Sequence, residues 1–406
     1  MISLDEARAL VLAGCPALPV RRLPLDDCLG CAAAEEVVSP AQVPPFANSA
    51  MDGYAVRAGD VAGATPDAPV RLRVIGTLAA GVAPTVAVGP GEALRIMTGA
   101  PFPDGADTVS IVEVTEALDD GQGVLVRQPS RAGDHVRPAG EDIAAGQAVF
   151  PPGTVLGPGH LGVLASIGCA QVAVHGRVRV GVLSTGDELV DGGGALRPGQ
   201  IRDSNRHTLL ALARQSGFEA VDLGLAPDDE GAIRAAITAG VSSCDAILTS
   251  GGVSMGEFDY VKKVLDELGA VQWMQVAIRP AKPLAFGVVD GTPVFGLPGN
   301  PVSSMVSFEL FARPGLRQMM GYPADQLDRA RVRAVADEPM RRRPDGKLHL
   351  VRVSASWQAD GRYHVRSSGG QASNLLRSMA LANALVLLPD GPGVEAGGEA
   401  DLLLLS

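Results

Sequence analysis

The chain has 406 residues, 46% of them hydrophobic and only 4% aromatic, so Val, Leu, Ile and Ala must fill the cores of two or more domains. Its formal net charge of −11 excludes a generic nucleic-acid binder, which needs a basic surface. An anionic ligand on such a chain calls for locally concentrated Arg and Lys, or for cations held by carboxylates.

Met1 to Leu12 lacks a basic n-region and carries Asp5 and Glu6, so no signal peptide is expected there. No apolar run approaches the roughly 20 residues that span a bilayer. Five cysteines, an odd number, argue for a reducing, cytoplasmic setting. Cys28 and Cys31 form a lone CxxC with no second pair, and two inert thiols are the reading adopted.

Ser3-Leu4-Asp5-Glu6 reads as a capping box that opens a helix to about Ala13, stopped by Gly14. Cys28 to Val38 reads as a second short helical segment. From about Val43 to Pro138 short β-type runs alternate with Gly and Pro turns: Val70 to Ile75, Glu92 to Met97, Thr108 to Val114 and Gly123 to Arg127. We expect residues 43–142 to be a mostly β domain inserted into an elongated N-terminal domain made of 1–42 and 143–176. Asp52-Gly53 reads as a hairpin turn between apolar flanks.

From Val178 the pattern becomes βαβ. Strands are expected at Val178 to Leu183, Ala220 to Leu225, Ala246 to Leu248, Val271 to Ile278 and Pro293 to Gly296. Helices are expected at Asn205 to Gln215, Asp228 to Ala239, Asp259 to Leu268 and Val302 to Met320. The fold class is therefore α/β plus β, with a parallel sheet in 177–324 covered on both faces. Residues 325–406 alternate again and read as a small C-terminal β domain.

Parallel sheets take ligands beyond the carboxyl ends of their strands. Three acidic loops fall there: Ser184-Thr185-Gly186-Asp187-Glu188, Asp228-Asp229, and Ser250-Gly251-Gly252 through Asp259. The glycines let backbone N–H groups approach an anion, and Glu188, Asp228 and Asp259 suit Mg²⁺ bridging to phosphate oxygens. Asp228 and Asp259 are equally readable as helix N-caps. A basic loop, Arg279-Pro280-Ala281-Lys282, complements them. Pro298-Gly299-Asn300-Pro301-Val302-Ser303 opens a helix with Asn300 as cap and Pro301 at the first turn, an oxyanion site to which Ser303 adds a hydroxyl.

Asn48-Ser49-Ala50-Met51-Asp52-Gly53-Tyr54-Ala55, Met97 to Pro101, Arg137 to Ile143, Ser184 to Leu189, Thr249 to Tyr260, Arg279 to Pro283 and Gly296 to Ser303 occur in one order along the chain. This ordered set resembles the molybdopterin molybdenumtransferase family, which includes the E domain of gephyrin, and the resemblance covers essentially the whole chain. It implies a four-domain elongated subunit with a molybdopterin-binding α/β domain, working as a homodimer. It implies insertion of molybdate into adenylylated molybdopterin with Mg²⁺-dependent release of AMP.

By that resemblance Asp52, Thr98, Arg137 and Asp142 complete the site from the other subunit. Asp187, Glu188, Asp228 and Asp259 serve Mg²⁺ and the pterin, with Ser184, Thr185, Gly186, Ser250, Gly251, Gly252, Pro298, Gly299, Asn300 and Pro301 lining it. Arg279, Lys282, Ser303, Arg352 and Ser373 match molybdate-pocket positions. The family more usually carries Lys-Pro-Gly-Lys where this chain has Arg279-Pro280-Ala281-Lys282. Tungsten insertion, and a gephyrin-like non-catalytic scaffold, are the alternatives. Docking by other cofactor-biosynthesis proteins stays open, and nucleic acid and membrane are not expected partners.

Overall fold

The computed structural model describes residues 1–118, 121–252 and 260–405. Two compact units emerge. One comprises Met1–Glu35, Gly153–Gly157 and Val172–Ser406; the other comprises Glu36–Pro152 and Pro158–Gln171.

The smaller unit is built on a six-stranded sheet. Its order is Thr108–Ile111, Gly53–Val56, Glu92–Ile96, Val70–Leu78, Gly123–Val126 and Thr115–Ala117. Side chains alternate across it, as the two-residue pleat requires. Tyr54 and Val56 enter one cluster with Leu72, Val124 and Val126, while Ala55 enters another with Leu94, Ile96 and Val109. Gly53 begins a strand and is not part of a hairpin turn. A Cβ there would lie 2.3 Å from the Ser110 carbonyl oxygen, so the neighbouring strand leaves room for hydrogen only.

In the larger unit the first helix, Leu4–Ala13, carries the expected capping box: Glu6 N–H donates to Ser3 Oγ and Ser3 N–H to Glu6 Oε2. The helix expected over Cys28 to Val38 does not form. A 3₁₀ turn at Leu25–Asp27 leads into left-handed Gly30 (φ +76°), and Ala32–Ala33 is a strand paired with Val174 and His175. Val37–Val38, in the smaller unit, pairs with Ala148–Phe150. Distant chain supplies these backbone partners, so tertiary pairing overrides local propensity.

The α/β sheet has the order Glu219–Ala226, Arg179–Thr185, Ala246–Ser250, Thr292–Leu297, Pro283–Val289, Ala270–Gln275. The first four strands are parallel; Pro283–Val289 runs against them and pairs antiparallel on both sides, so the sheet is mixed rather than all-parallel. The unforeseen strand is Pro283–Val289. It joins Thr292–Leu297 through a two-residue turn, Asp290-Gly291, both at positive φ (+47° and +82°). Asp-Gly is the strongest short hairpin signal, and it was legible.

The expected strand Val271 to Ile278 divides. Ala270–Gln275 stays in this sheet, while Ile278–Arg279 pairs with Leu348–His349 of the C-terminal region. The expected helix Val302 to Met320 is also interrupted: a π turn, Phe308–Ala312, separates helical Pro301–Ser307 from Arg313–Met319. Pro314 has no N–H for the Leu310 carbonyl, and Arg8 Nη1 donates to that oxygen at 2.7 Å instead.

The C-terminal sheet closes on itself. Strands Leu348–Trp357, Tyr363–Ser367, Arg331–Ala336, Glu399–Leu404 and Ala384–Leu388 follow in order, and the last pairs back with the first. Val353, Val365, Val386 and Leu402 fill the small barrel.

Candidate functional site

The acidic loops lie where the strands of the α/β sheet end. After Arg179–Thr185 the backbone turns at Gly186 (φ +149°), and a Cβ there would sit 2.6 Å from the Glu188 carboxylate. Glycine is thus needed for the carboxylate to fold back over the strand end. After Glu219–Ala226 comes Pro227-Asp228-Asp229. Asp229 is the helix cap, its Oδ1 accepting from Ala232 N–H at 2.8 Å, which leaves Asp228 without that task. Asp228 N–H donates to Asp187 Oδ1 at 3.0 Å. Partial burial, then the neighbouring charges of Asp187 and Glu188, push the Asp228 carboxyl pKa up, against the opposing effect of a backbone hydrogen bond from Asp187.

The third loop begins at Ser250, which is buried. Gly251 and Gly252 both adopt left-handed φ (+98° and +69°). A Cβ on Gly251 would approach the Thr185 carbonyl oxygen to 2.9 Å, so two strand ends meet across a glycine. Asp259 lies outside the described residues. Among the described residues no group of three or more His, Cys, Asp or Glu is placed to hold a metal. Asp187 and Glu188 crowd negative charge against Asp228, though the three are not placed as a metal-ligating group by themselves.

Two predicted pterin contacts are engaged within the protein. Ser184 Oγ donates to buried Asp203 at 3.1 Å, and Ser250 Oγ accepts from Asn205 Nδ2 at 2.8 Å. Thr185 is buried beside them. Asn205 Nδ2 also donates to the Gly299 carbonyl at 2.7 Å. Neither Asp203 nor Asn205 stood out in the sequence. The available signal was weak: Asp203 and Asn205 are two polar residues flanking the start of a mixed, amphipathic helix.

The basic loop lines a cavity of about 420 Å³ together with Pro298, Asn300, Ser303, Lys347, Gln371 and Ser373. Asn300 holds the N-cap position, with Pro301 at the first turn, but among the described residues its side chain makes no capping bond. Ser303 is buried in the wall. Val302 N–H donates to the Ser373 carbonyl at 3.1 Å, fastening the C-terminal loop to this helix. Lys347 is a third cation that sequence reading missed, because its place depends on the pairing of Arg279 with His349. Ala281 is buried at φ +72°, a left-handed conformation that costs an alanine.

Arg352 stands behind this wall rather than in it. It is fully buried, and its Nη2 donates to the Gly370 and Ala372 carbonyls at 2.6 and 3.2 Å. Gln371 bonds the Arg352 backbone in both directions, so the Gly370–Ser373 loop is held from behind. Burial pushes the guanidinium pKa down, and its Nε and Nη1 have no partner among the described residues.

In the smaller unit, Asp52 Oδ1 accepts from Thr98 N–H (2.7 Å) and Thr98 Oγ1 (2.8 Å), which holds its carboxyl below the usual carboxylate range. Arg137 pairs with Asn48, and Gly99 N–H donates to Ser49, so one short strand gathers the Thr98 and Arg137 loops. Asp142 is exposed, its N–H donating to the Val43 carbonyl at 3.0 Å. Cys28 and Cys31 are buried thiols in no disulfide, and Cys28 Sγ donates to the Pro24 carbonyl at 3.2 Å.

Three family models cover most of the chain. They are the MoeA N-terminal region (domain I and II) over residues 2–168, the "Probable molybdopterin binding domain" over 181–318, and the MoeA C-terminal region (domain IV) over 333–405. Molybdopterin molybdenumtransferase 2 of Mycobacterium tuberculosis is 41% identical over 404 residues, 98% of each chain. The molybdopterin molybdenumtransferase of Haemophilus influenzae is 37% identical over 98% of this chain and 97% of its own. Two solved structures of Pyrococcus horikoshii molybdopterin biosynthesis MoeA protein superpose with TM-scores of 0.80 and 0.82, at 32% and 26% identity. Each match covers 100% of this chain and 99% or 100% of the solved one. Matches of this length, across all three regions of the chain, place it in the MoeA family of molybdopterin molybdenumtransferases.

Proposed function

We propose that this chain inserts molybdenum into adenylylated molybdopterin, with molybdate as the metal source and AMP released in a Mg²⁺-dependent step. The observation that carries the reading is the division of charge along one sheet edge. Asp187, Glu188 and Asp228 follow two strands, and Arg279, Lys282 and Lys347 surround the loop that follows a third.

The chain's own groups divide the work. The left-handed glycines Gly251 and Gly252 bring backbone close to the pterin and its phosphates. Arg279 and Lys282 hold the tetrahedral oxyanion, whose two charges need compensating cations, and Ser303 donates a hydrogen bond to it. Glu188, Asp228 and Asp259 would hold Mg²⁺, which supplies neutralisation of phosphoanhydride charge when bound. Arg352 and Ser373 fix the far wall of the oxyanion pocket. Asp52, Thr98, Arg137 and Asp142 of one subunit serve the strand-end loops of the other in a homodimer. This assignment follows the family resemblance, as do domain limits of 1–42 with 143–176, 43–142, 177–324 and 325–406.

Incubating the purified protein with molybdopterin adenylate, molybdate and Mg²⁺ should release AMP and yield metallated pterin. Glu188→Gln should abolish both products. Mixing inactive Asp52→Asn and Glu188→Gln subunits should restore part of the activity through heterodimers. Absence of AMP release by the wild-type chain would sink the reading, and no recovery after verified subunit exchange would sink the shared site.

A further inference from the structure

We infer that Asn205 is a positioning residue that sets the spacing between the pterin loop and the oxyanion loop; the inference rests on the function proposed above. Asn205 belongs to neither loop. It is the first residue of the helix Asn205–Gln215, whose Leu209, Leu210 and Ala213 are buried in the main core. Its side-chain amide is therefore anchored from behind.

Both N–H groups of that amide are committed, one to Ser250 Oγ at 2.8 Å and one to the Gly299 carbonyl at 2.7 Å. Ser250 ends one strand and opens the Gly251-Gly252 turn. Gly299 lies between the next strand and the helix that carries Ser303. A direct backbone bond links the same two loops, Gly251 N–H to the Leu297 carbonyl, at a longer 3.2 Å. The loops otherwise meet through glycine: a Cβ on Gly299 would lie 3.8 Å from Gly251 Cα.

The residues just before and after Asn205 tie down a third strand end. Buried Asp203 accepts from Ser184 Oγ, Arg206 N–H and Arg206 Nε, each at 3.1 Å, and Arg206 also reaches Asp191 and Asp222. One four-residue segment thus holds the ends of three adjacent strands of the sheet.

An apolar side chain could fill this space, but it would leave the distance between the loops free to drift. A buried amide with both donors used fixes that distance and direction, because an unpaired donor or acceptor there is costly. In the proposed reaction molybdate on the Pro298–Ser303 loop gains two Mo–S bonds to the dithiol of the pterin on the Ser250–Gly252 loop, and one Mo–O bond breaks, its oxygen leaving as water with the two thiol protons. The spacing between loops therefore governs transfer more than it governs the binding of either substrate.

The test compares full-length wild type with Asn205→Ala and Asn205→Asp. It measures kcat and both KM values for AMP release and metal insertion, the Kd for molybdate alone by calorimetry, and thermal melting. Asn205→Ala should lower kcat by about 10-fold or more, since a shift near 1 Å in reacting groups costs up to ~100-fold, while KM values and molybdate Kd stay within about 3-fold. Asn205→Asp should lose at least as much. The Ser250 hydroxyl can reverse and donate to the new carboxylate, but the Gly299 carbonyl would face a negative charge. If Asn205→Ala fails to fold, the isosteric Asp variant carries the same kcat-against-KM comparison.

A lowered melting temperature with unchanged kcat would overturn the inference, as would a loss confined to KM. In either case an active wild type leaves the proposed function standing. A wild type inactive in the same assay removes both.

Discussion

Asp228→Asn separates stability from function at the acidic strand ends. Asp228 faces like charges on Asp187 and Glu188, and among the described residues no basic group offsets them. A like-charged pair about 4 Å apart repels by roughly 1 kcal/mol in water and more at a partly buried site. The three side chains are largely exposed, so solvent and salt screening hold the repulsion to about 1 kcal/mol at most. Asparagine keeps the shape and the acceptor oxygen, and its backbone N–H still reaches Asp187.

The variant should therefore be more stable than wild type by up to about 1 kcal/mol in EDTA at low salt, or up to about 2–4 °C in melting temperature for a domain of this size. The gain should shrink in 1 M salt, where the screening length falls to roughly 3 Å. Saturating Mg²⁺ should raise the wild-type melting temperature and leave the variant unmoved, and AMP release should be lost. A variant less stable than wild type in EDTA, or one that keeps activity, would refute the reasoning that like-charge repulsion at Asp228 is offset by a cation in the working enzyme.

Ala281→Gly should change stability by less than about 1 kcal/mol: relief of a left-handed alanine, roughly 1–2 kcal/mol, is offset by glycine's chain entropy and one lost buried methyl. A urea-midpoint loss beyond about 2 kcal/mol would show that the methyl, not the backbone, shapes the loop. His364 is bonded to Asp337 (2.6 Å) and Asp360 (3.0 Å), and those bonds raise its pKa. Its stabilisation is complete below the unfolded value of about 6.5 and is lost as pH rises through the higher folded value, so urea midpoints should fall from pH 6 upward in wild type. His364→Gln should flatten that fall, and an unchanged slope would count against the assignment. Arg8→Ala should cost about 2 kcal/mol through the Leu310 carbonyl and Asp328, and Pro314→Ala in that background should recover part of it by restoring a helical donor. No recovery in chemical denaturation would refute the account of the π turn.

Much of the molecule follows from local pattern. The capping box at Ser3, the helix Asn205–Gln215, the strand runs around Val180 and Ile247, and the acidic and glycine-rich loops after them were all legible, because pleat, helical period and capping are written in neighbouring residues. The Asp290-Gly291 hairpin is equally local, and the antiparallel strand it creates is what separates the mixed sheet from the expected parallel one.

Other features depend on chain far away in sequence, and no local pattern could assign them. Within residues 28–38, Ala32–Ala33 and Val37–Val38 are strands because Val174, His175, Ala148 and Phe150 supply their partners. Lys347 joins Arg279 because Ile278–Arg279 leaves one sheet for another. Asn205 reads in sequence as one more polar residue at a helix start, and its two bonds exist only once three strand ends lie side by side. The sequence by itself determined which chemical groups sit at the strand ends, since residue type and spacing are local. Only the tertiary structure decided which of them face a ligand and which hold the others in place, because that depends on the partner each donor and acceptor finds across the fold.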